Sequence, residues 1–173
     1  MDDFIPSPRV SHHEAGHVVV GLLFGFIPDF VYAGSDGGVV YMQPPLPRAE
    51  DHSTSIILLA GMFAEGIPER CTFRPSDADI EARLSIEGQE GDLSRVLQSL
   101  VRRHPPETDR SFLDEYRSLE VITIDLVARS DVRAAIRAVA AELMRAGRLS
   151  GAAAAEIATR YIVPGSLKME NTQ

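Results

Sequence analysis

The sequence predicts a mainly α-helical domain with a small β-hairpin or sheet, and three observations lead to this fold class. Several segments carry apolar residues three and four positions apart, which is the spacing of helices that bury one face. Two short runs rich in β-branched and aromatic residues flank residues 34–37, Gly-Ser-Asp-Gly, as the strands of a hairpin do. The chain has 173 residues, of which 45% are hydrophobic, and this suffices for one buried core. We therefore expect one domain over residues 1–173 with about six helices.

The first predicted helix begins at Ser11 and ends near Gly25. Ser11 and Glu14 have the spacing of a capping box, and apolar residues follow them at helical spacing. Pro28 cannot continue a helix, so the chain should leave the helix before it. The two strands of the predicted hairpin then lie at residues 30–33 and 38–42.

The rest of the chain is predicted to be helical between polar loops. An almost entirely apolar stretch from about Asp51 to Gly66 predicts a buried helix that packs against the first one. Residues 68–91 are rich in Pro, Asp, Glu and Gly, so we expect a loop there with a short helical turn at residues 78–84. Further helices are expected at residues 92–103, 107–129, 132–146 and 152–161. Asp131 and Ser150 stand where the N-caps of the last two belong.

The composition argues against several classes of protein. The formal net charge is −8, which repels phosphate and argues against a nucleic-acid-binding protein. The single cysteine, Cys71, has no partner for an intramolecular disulfide, and this favours a reducing compartment. The longest apolar run, residues 18–27, is far shorter than the roughly 20 residues that cross a bilayer. We therefore expect a cytoplasmic protein that does not insert into membranes.

A metal-binding motif stands at the start of the first predicted helix. Residues 13–17 read His-Glu-Ala-Gly-His, so His13 and His17 project from one helix face, one turn apart. Two imidazoles in this arrangement suit a zinc ion, and Glu14 lies at the edge of the same face, where its carboxylate can take a proton from a water on the metal. Gly16 inside this helix is unfavourable by up to about 1 kcal/mol relative to alanine, which predicts a close approach to the backbone.

A third protein ligand must come from elsewhere, because a catalytic zinc keeps three protein ligands and one water. The candidates are residues with a carboxylate or an imidazole: Glu65, Asp77, Asp79, Glu90, Asp92, His52 and His104. Asp92 opens a predicted helix and Glu65 lies on the buried central helix, so these two are favoured. His12 should point away from the histidine pair and face solvent.

The sequence resembles the peptidase domain of the membrane-anchored, ATP-dependent zinc proteases of the FtsH type. Residues 11–22, Ser-His-His-Glu-Ala-Gly-His followed by an apolar run, are similar to the zinc helix of that family. Residues 60–65 are similar to its Gly-Gly-Arg-x-Ala-Glu helix, although Met62 stands where the family tends to have arginine. Residues 91–95, Gly-Asp-Leu-Ser-Arg, look like the helix start that supplies its third ligand, and residues 132–157 look like its closing helices.

This resemblance implies a zincin-like metallopeptidase domain in which Asp92 is the third zinc ligand and Glu65 either contacts a ligand or packs beside the site. It implies a zinc-dependent peptidase that acts on peptides or unfolded proteins, with Glu14 as the general base. The chain contains no Gly-x-x-x-x-Gly-Lys-Ser/Thr phosphate loop, so we expect an ATP-independent enzyme that either forms homo-oligomers or relies on a separate ATPase for unfolding.

Three alternatives remain open at the level of sequence. The first is a catalytically inactive, peptidase-like binding or regulatory module whose metal is structural or absent. The second is a peptidase that uses Glu65 in place of Asp92 as the third ligand. The third is an all-helical interaction protein without a metal, which rests only on the helix-rich second half of the chain.

Overall fold

A computed structural model describes residues 6–46, 51–84, 91–104 and 111–167 of the chain. Within these residues it contains seven helices and one three-stranded antiparallel sheet. The helices are α1 (Pro8–Leu23), α2 (His52–Ala64), α3 (Asp77–Leu84), α4 (Asp92–Arg103), α5 (Ser111–Ala128), α6 (Ser130–Ala146) and α7 (Gly151–Ala158). The strands are β1 (Ile27–Ala33), β2 (Gly38–Gln43) and β3 (Arg148–Ser150). The predicted mainly helical class with a small sheet is therefore confirmed.

Helix α1 begins one turn earlier than the sequence predicts. Its N-cap is Ser7, and Pro8 occupies the first helical position, where the fixed φ angle of proline suits a helix and no N–H is needed. Ser11 is consequently a buried interior residue whose hydroxyl has no hydrogen-bond partner among the described residues. The predicted capping box between Ser11 and Glu14 is therefore wrong, and Glu14 is free for another role.

The hairpin of β1 and β2 is confirmed, and both strands are longer than predicted. The third strand was not predicted. Strand β3 pairs antiparallel with β1, through Phe30 with Ser150 and Tyr32 with Arg148, which gives the order β2-β1-β3. Strand β2 therefore lies at an edge of the sheet.

The predicted helical turn at residues 78–84 is an eight-residue helix, α3, so the described residues form seven helices and not about six. The other helices agree with the sequence expectations except at their ends. Asp51 caps α2 by accepting a hydrogen bond from the backbone N–H of Ser53, and Ser150 caps α7 by accepting one from Ala153. The N-cap of α6 is Arg129 and not Asp131, which lies inside the first turn. The beginning of the helix predicted from residue 107 lies outside the described residues.

The core forms around α1 and α2, which pack against each other as predicted. Side chains on both helices join those of α4, α5 and α6 in one cluster of buried apolar residues. Among the described residues, no helix is both long enough and apolar enough to cross a membrane. The N-terminal half of α1, which carries the histidines, faces α2 and the start of β2.

Candidate metal centre

The packing of α1 on α2 depends on glycine at the crossing point. A Cβ atom at Gly16 would lie 2.6 Å from the carbonyl oxygen of Ala60 and 2.8 Å from the Cβ of Ala64. The predicted close approach to the backbone at Gly16 is therefore confirmed, and the neighbouring backbone belongs to α2. This contact brings the two histidines of α1 against α2.

Three side-chain atoms converge at this crossing. The Nε2 atoms of His13 and His17 are 2.9 Å apart, and the Oδ2 atom of Asp92 lies 3.0 Å from the first and 2.9 Å from the second. Asp92 is the first residue of α4, and the preceding Gly91 has a φ angle of 121°, which favours glycine. Asp92 is 75 residues from His17 and 79 residues from His13 along the chain. The three atoms nevertheless form a nearly equilateral triangle, which we call the His-His-Asp triangle.

The other nitrogen of each imidazole ring is already engaged. His17 Nδ1 lies 2.8 Å from the backbone carbonyl oxygen of Ile57, and this carbonyl only accepts, so Nδ1 carries the proton. His13 Nδ1 lies 2.7 Å from Oε1 of Glu65 and donates to that carboxylate. In the neutral form of each ring, the Nε2 lone pair is therefore directed at the triangle.

The donor set of the triangle fits a divalent metal ion. Two ring lone pairs and a carboxylate oxygen repel one another unless a cation or a proton lies between them. Two imidazoles and one carboxylate are ligands that zinc accepts, and histidine ligands normally donate their second N–H to a carboxylate or a backbone carbonyl. Glu65 and Ile57 supply these acceptors, which fix the orientation of both rings.

The electrostatics of the triangle without a metal show that it attracts positive charge. Burial lowers the pKa of His13, but hydrogen bonds to Asp92 and Glu65 outweigh it and raise the pKa to about 10. Burial raises the pKa of Asp92, and the hydrogen bonds from the two histidines hold it well below its ordinary range. The site therefore stabilises positive charge strongly, in the form of a proton when no metal is bound.

Glu65 is itself held in position by a second partner. The guanidinium of Arg9, at the start of α1, donates to Oε2 of Glu65, while His13 donates to Oε1. Burial raises the pKa of Glu65, and the hydrogen bonds from His13 and Arg9 lower it further than burial raises it. Glu65 is thus an ionised acceptor for His13 and does not reach the triangle.

Glu14 lies beside the triangle without joining it. Only 4% of the residue is exposed, and its carboxylate makes no hydrogen bond to another described residue. A Cβ atom at Gly38 would lie 2.6 Å from both Cγ and Oε1 of Glu14, so the first residue of β2 must be small. Burial raises the pKa of Glu14, although the nearby His17 and His13 partly oppose this rise. A carboxylate with a raised pKa is suited to proton transfer.

A cleft of about 790 Å³ opens over the triangle. Its walls come from α1, the hairpin and the beginning of α4, and its lining includes the edge strand β2. The lining residues nearest to the chemistry are His13, Glu14, His17, Glu65 and Asp92, and those of β2 are Gly38, Val39, Val40 and Met42. The volume lies within the range of small-molecule and peptide sites.

The other predicted ligand candidates lie away from the triangle. His52 and His104 each bond a different oxygen of Glu115. Asp77 pairs with Arg117, and Asp79 accepts hydrogen bonds from Ser76 at the start of α3. Glu90 lies outside the described residues.

The prediction for His12 is wrong. His12 is 7% exposed, and its Nδ1 lies 2.8 Å from the carbonyl oxygen of Pro8. Because α1 is covered on several sides by α2, α6 and the sheet, a residue that points away from the face of His13 and His17 still points into the protein. Burial lowers the pKa of His12, and the positive charge of Arg137 lowers it further.

Gly61 is a site residue that sequence reasoning did not single out. A Cβ atom there would lie 2.5 Å from Cε1 and Nε2 of His17 and 2.8 Å from Nε2 of His13. The imidazoles therefore occupy the space that a larger residue on α2 would fill. Ile57 was missed as well, because its contribution is a backbone carbonyl that leaves no trace in the side-chain pattern.

Comparisons with known proteins add no family assignment. No model of a protein family matches the chain. A search of curated proteins likewise finds no significant match.

Proposed function

We propose that this protein is a zinc-dependent peptidase of the His-Glu-x-x-His type with a zincin-like domain. The observation that carries the proposal is the His-His-Asp triangle, with Glu14 buried beside it and an open cleft above it. His13, His17 and Asp92 would hold the ion. The resemblance of the sequence to FtsH-type peptidase domains points to the same ligands and the same base.

Zinc in this position would lower the pKa of a bound water to about 7 and polarise a carbonyl group. Glu14 then acts as the general base that accepts a proton from the attacking water and returns it to the leaving amine. Its burial favours this role, because a raised pKa brings the carboxylate closer to neutral operating pH. Gly38 leaves the space that the Glu14 carboxylate occupies.

The cleft favours an extended peptide as the substrate. Strand β2 lines the cleft, lies at the edge of the sheet and offers unpaired backbone groups on that edge. A substrate strand that adds to β2 would pass over the triangle in register with the sheet. Because such a strand must already be extended, we propose peptides and unfolded proteins as substrates, in the cytoplasm. The partner would be a second copy of the chain in a homo-oligomer or a separate ATPase that unfolds substrates.

The inactive, peptidase-like module is the second candidate, and one observation disfavours it. A structural zinc is normally closed by four protein ligands. Among the described residues, only His13, His17 and Asp92 place ligand atoms together, and a zinc ion held by three protein ligands would keep one coordination position for water. An open position suits a catalytic ion better than a structural one.

Glu14→Gln is the decisive variant for this proposal. It keeps the size of the side chain and removes the base, so cleavage of an unfolded protein such as denatured casein should fall by about 10²–10⁴-fold with zinc content unchanged. Glu156→Gln is the matched control, since this exposed glutamate on α7 lies outside the cleft. Cleavage by Glu14→Gln at the wild-type rate would refute the general-base role.

A further inference from the structure

A second cavity, of about 410 Å³, lies behind the turn that carries Glu65. Its walls come from the end of α2, the turn at residues 66–72, the end of α5 and the first half of α6. It shares no lining residue with the cleft over the His-His-Asp triangle. We call it the arginine cavity, because Arg70, Arg133 and Arg137 line it.

The three arginines of this cavity have no partner of opposite charge among the described residues. None of them is within ion-pair distance of a described carboxylate, and the cavity lining contains no Asp or Glu. Most other described arginines do pair with a carboxylate, namely Arg9, Arg74, Arg95, Arg103, Arg117, Arg129, Arg145 and Arg160. Three other described arginines, Arg83, Arg102 and Arg148, also lack a carboxylate partner within the described part of the chain, but they do not line this cavity. The arginine cavity thus gathers in one place three guanidinium groups that no described carboxylate pairs with.

The arrangement of these arginines is unfavourable without a ligand. Arg133 and Arg137 are four residues apart on one face of α6, and like charges at this spacing repel. Arg133 lies in the first turn of this helix, at the positive end of its dipole. Arg70, across the cavity, has a φ angle of 55°, a left-handed conformation that is uncommon for a residue with a side chain. An anion between the three guanidinium groups would relieve the repulsion.

The lining of the arginine cavity also includes four apolar side chains larger than alanine, three of them buried, which we call its floor. Phe63, Ile67 and Val127 are at most 8% exposed, and Ile124 lies beside them. A ligand that fills this space would therefore place an apolar body on the floor and its charge at the guanidinium groups. The volume falls within the range of ordinary small-molecule sites.

We propose that the arginine cavity binds a small molecule in which a phosphoryl group is attached to an apolar body. Guanidinium groups match the oxygens of a phosphoryl group in paired hydrogen bonds. Three positive charges suit a group with about two negative charges better than a single carboxylate. This proposal is independent of the peptidase activity, because the cavity contains none of the residues of the His-His-Asp triangle.

Cys71 provides a direct reporter for this proposal. It is the only cysteine of the chain, it is exposed, and it lines the arginine cavity. The experiment measures the rate at which the neutral reagent iodoacetamide alkylates Cys71 in the full-length protein, with phenyl phosphate as the probe. Bound phenyl phosphate should cover the thiol and slow alkylation in a saturable way. Inorganic phosphate and benzoate should each need about a tenfold higher concentration for the same protection, because phosphate lacks the apolar body and benzoate lacks the phosphoryl group.

The variant Arg133→Gln/Arg137→Gln should weaken this protection about tenfold or more, when each protein is compared with its own rate without probe. Arg83→Gln/Arg102→Gln is the matched control, because it removes the same charge from exposed positions outside the cavity. All four positions are exposed, so both proteins should fold like the wild type.

Three results would overturn the proposal. The first is no protection of wild-type Cys71 at about 10 mM phenyl phosphate, a concentration that would fill even a millimolar site. The second is equal protection by benzoate, which would remove the phosphoryl assignment. The third is an equal loss of protection in the control variant, which would indicate attraction by overall charge and not by the cavity.

Discussion

Among the described residues, two groups each combine two histidines with a carboxylate, and only one of these groups has the geometry of a metal site. In the His-His-Asp triangle, the two Nε2 atoms and one carboxylate oxygen are mutually within 3.0 Å. In the second group, which we call the Glu115 cluster, His52 Nε2 lies 2.8 Å from Oε1 of Glu115 and His104 Nε2 lies 2.6 Å from Oε2. The two groups contain similar residues, but their Nε2 atoms point differently: towards one another in the triangle and towards separate oxygens in the Glu115 cluster.

The difference lies in what the histidine protons do. In the Glu115 cluster each Nε2 faces an acceptor of its own, so each ring can donate to a separate oxygen, and Arg103 adds positive charge at 2.8 Å. In the triangle the Nδ1 atoms donate to Ile57 and Glu65, so both Nε2 atoms face one point, which a proton or a metal ion can occupy. Residue type alone therefore does not distinguish the two groups, whereas the direction of the Nε2 atoms does.

The largest effect on zinc affinity is expected when one histidine of each group is replaced and the two variants are compared. His17→Ala should reduce zinc affinity by about 10²–10³-fold, since it removes one of three ligands from a site that binds with roughly 10 kcal/mol or more. His104→Ala should leave the affinity unchanged. Competition with a chromophoric zinc chelator measures both. Equal affinities of the two variants would contradict the assignment of the triangle as the metal site.

A second variant disturbs the triangle without removing any ligand. Gly61→Ala places a methyl group where the imidazoles of His17 and His13 now lie, so it should lower zinc affinity by about 100-fold, because the rings must shift. Gly37→Ala is the control, since a Cβ atom there meets no atom within 4 Å although the residue lines the same cleft. The same zinc competition applies. An unaffected Gly61→Ala protein would mean that the ring positions do not determine binding.

A smaller effect is expected from the acceptor behind His13. Glu65→Gln keeps a hydrogen-bond acceptor but loses the negative charge that orients His13 and makes it a stronger ligand, so zinc affinity should fall by about tenfold. If Glu65 were the third ligand, Glu65→Gln should lower zinc affinity as much as Asp92→Ala. Titration of the two variants side by side decides between these assignments.

The smallest effect concerns the Glu115 cluster and its pH dependence. Burial raises the pKa of Glu115, but the hydrogen bond from His52, the charge of Arg103 and the hydrogen bond from His104 hold it below the ordinary value of 4.5. A carboxyl group with a lowered folded-state pKa stabilises the protein above its unfolded pKa and loses this contribution as the pH falls through the folded value. The contribution should not exceed about 1 kcal/mol, because the cluster is partly exposed.

Urea unfolding of wild type and Glu115→Gln measures this contribution. The wild type should be slightly more stable at pH 7, and the difference should shrink as the pH is lowered below 4.5. A difference that grows on acidification would contradict the sign of the shift. Zinc binding at pH 7 should be the same in both proteins, because the cluster takes no part in the proposed metal site.

The sequence predicted the local parts of the fold better than its contacts. The periodic segments gave the long helices and the hairpin, because each is set by neighbouring residues. Strand β3 was missed because its three residues lie in a stretch that looks like a turn and form a strand only by pairing with β1. The cap was wrongly placed at Ser11 because Ser11 and Glu14 have the spacing of a capping box. In the structure the helix begins earlier, at Pro8, and Glu14 is buried at the site.

The residues of the candidate site also fall into those that local sequence predicts and those that depend on long-range contacts. His13 and His17 were paired by their spacing on one helix, which is local information. Residue properties left both Asp92 and Glu65 open, because the choice depends on which chain segments meet in space, and only the family resemblance favoured Asp92. Gly61 was not singled out, because its role appears only when α1 lies across α2.

The X-ray absorption spectrum of zinc in the loaded protein tests the central claim most directly. The account predicts one zinc per chain, surrounded by two imidazole nitrogens and by oxygen ligands from Asp92 and water, at about 2.0–2.2 Å. A sulfur ligand at about 2.3 Å, which only Cys71 or a methionine could supply, or a shell without imidazole, would contradict it.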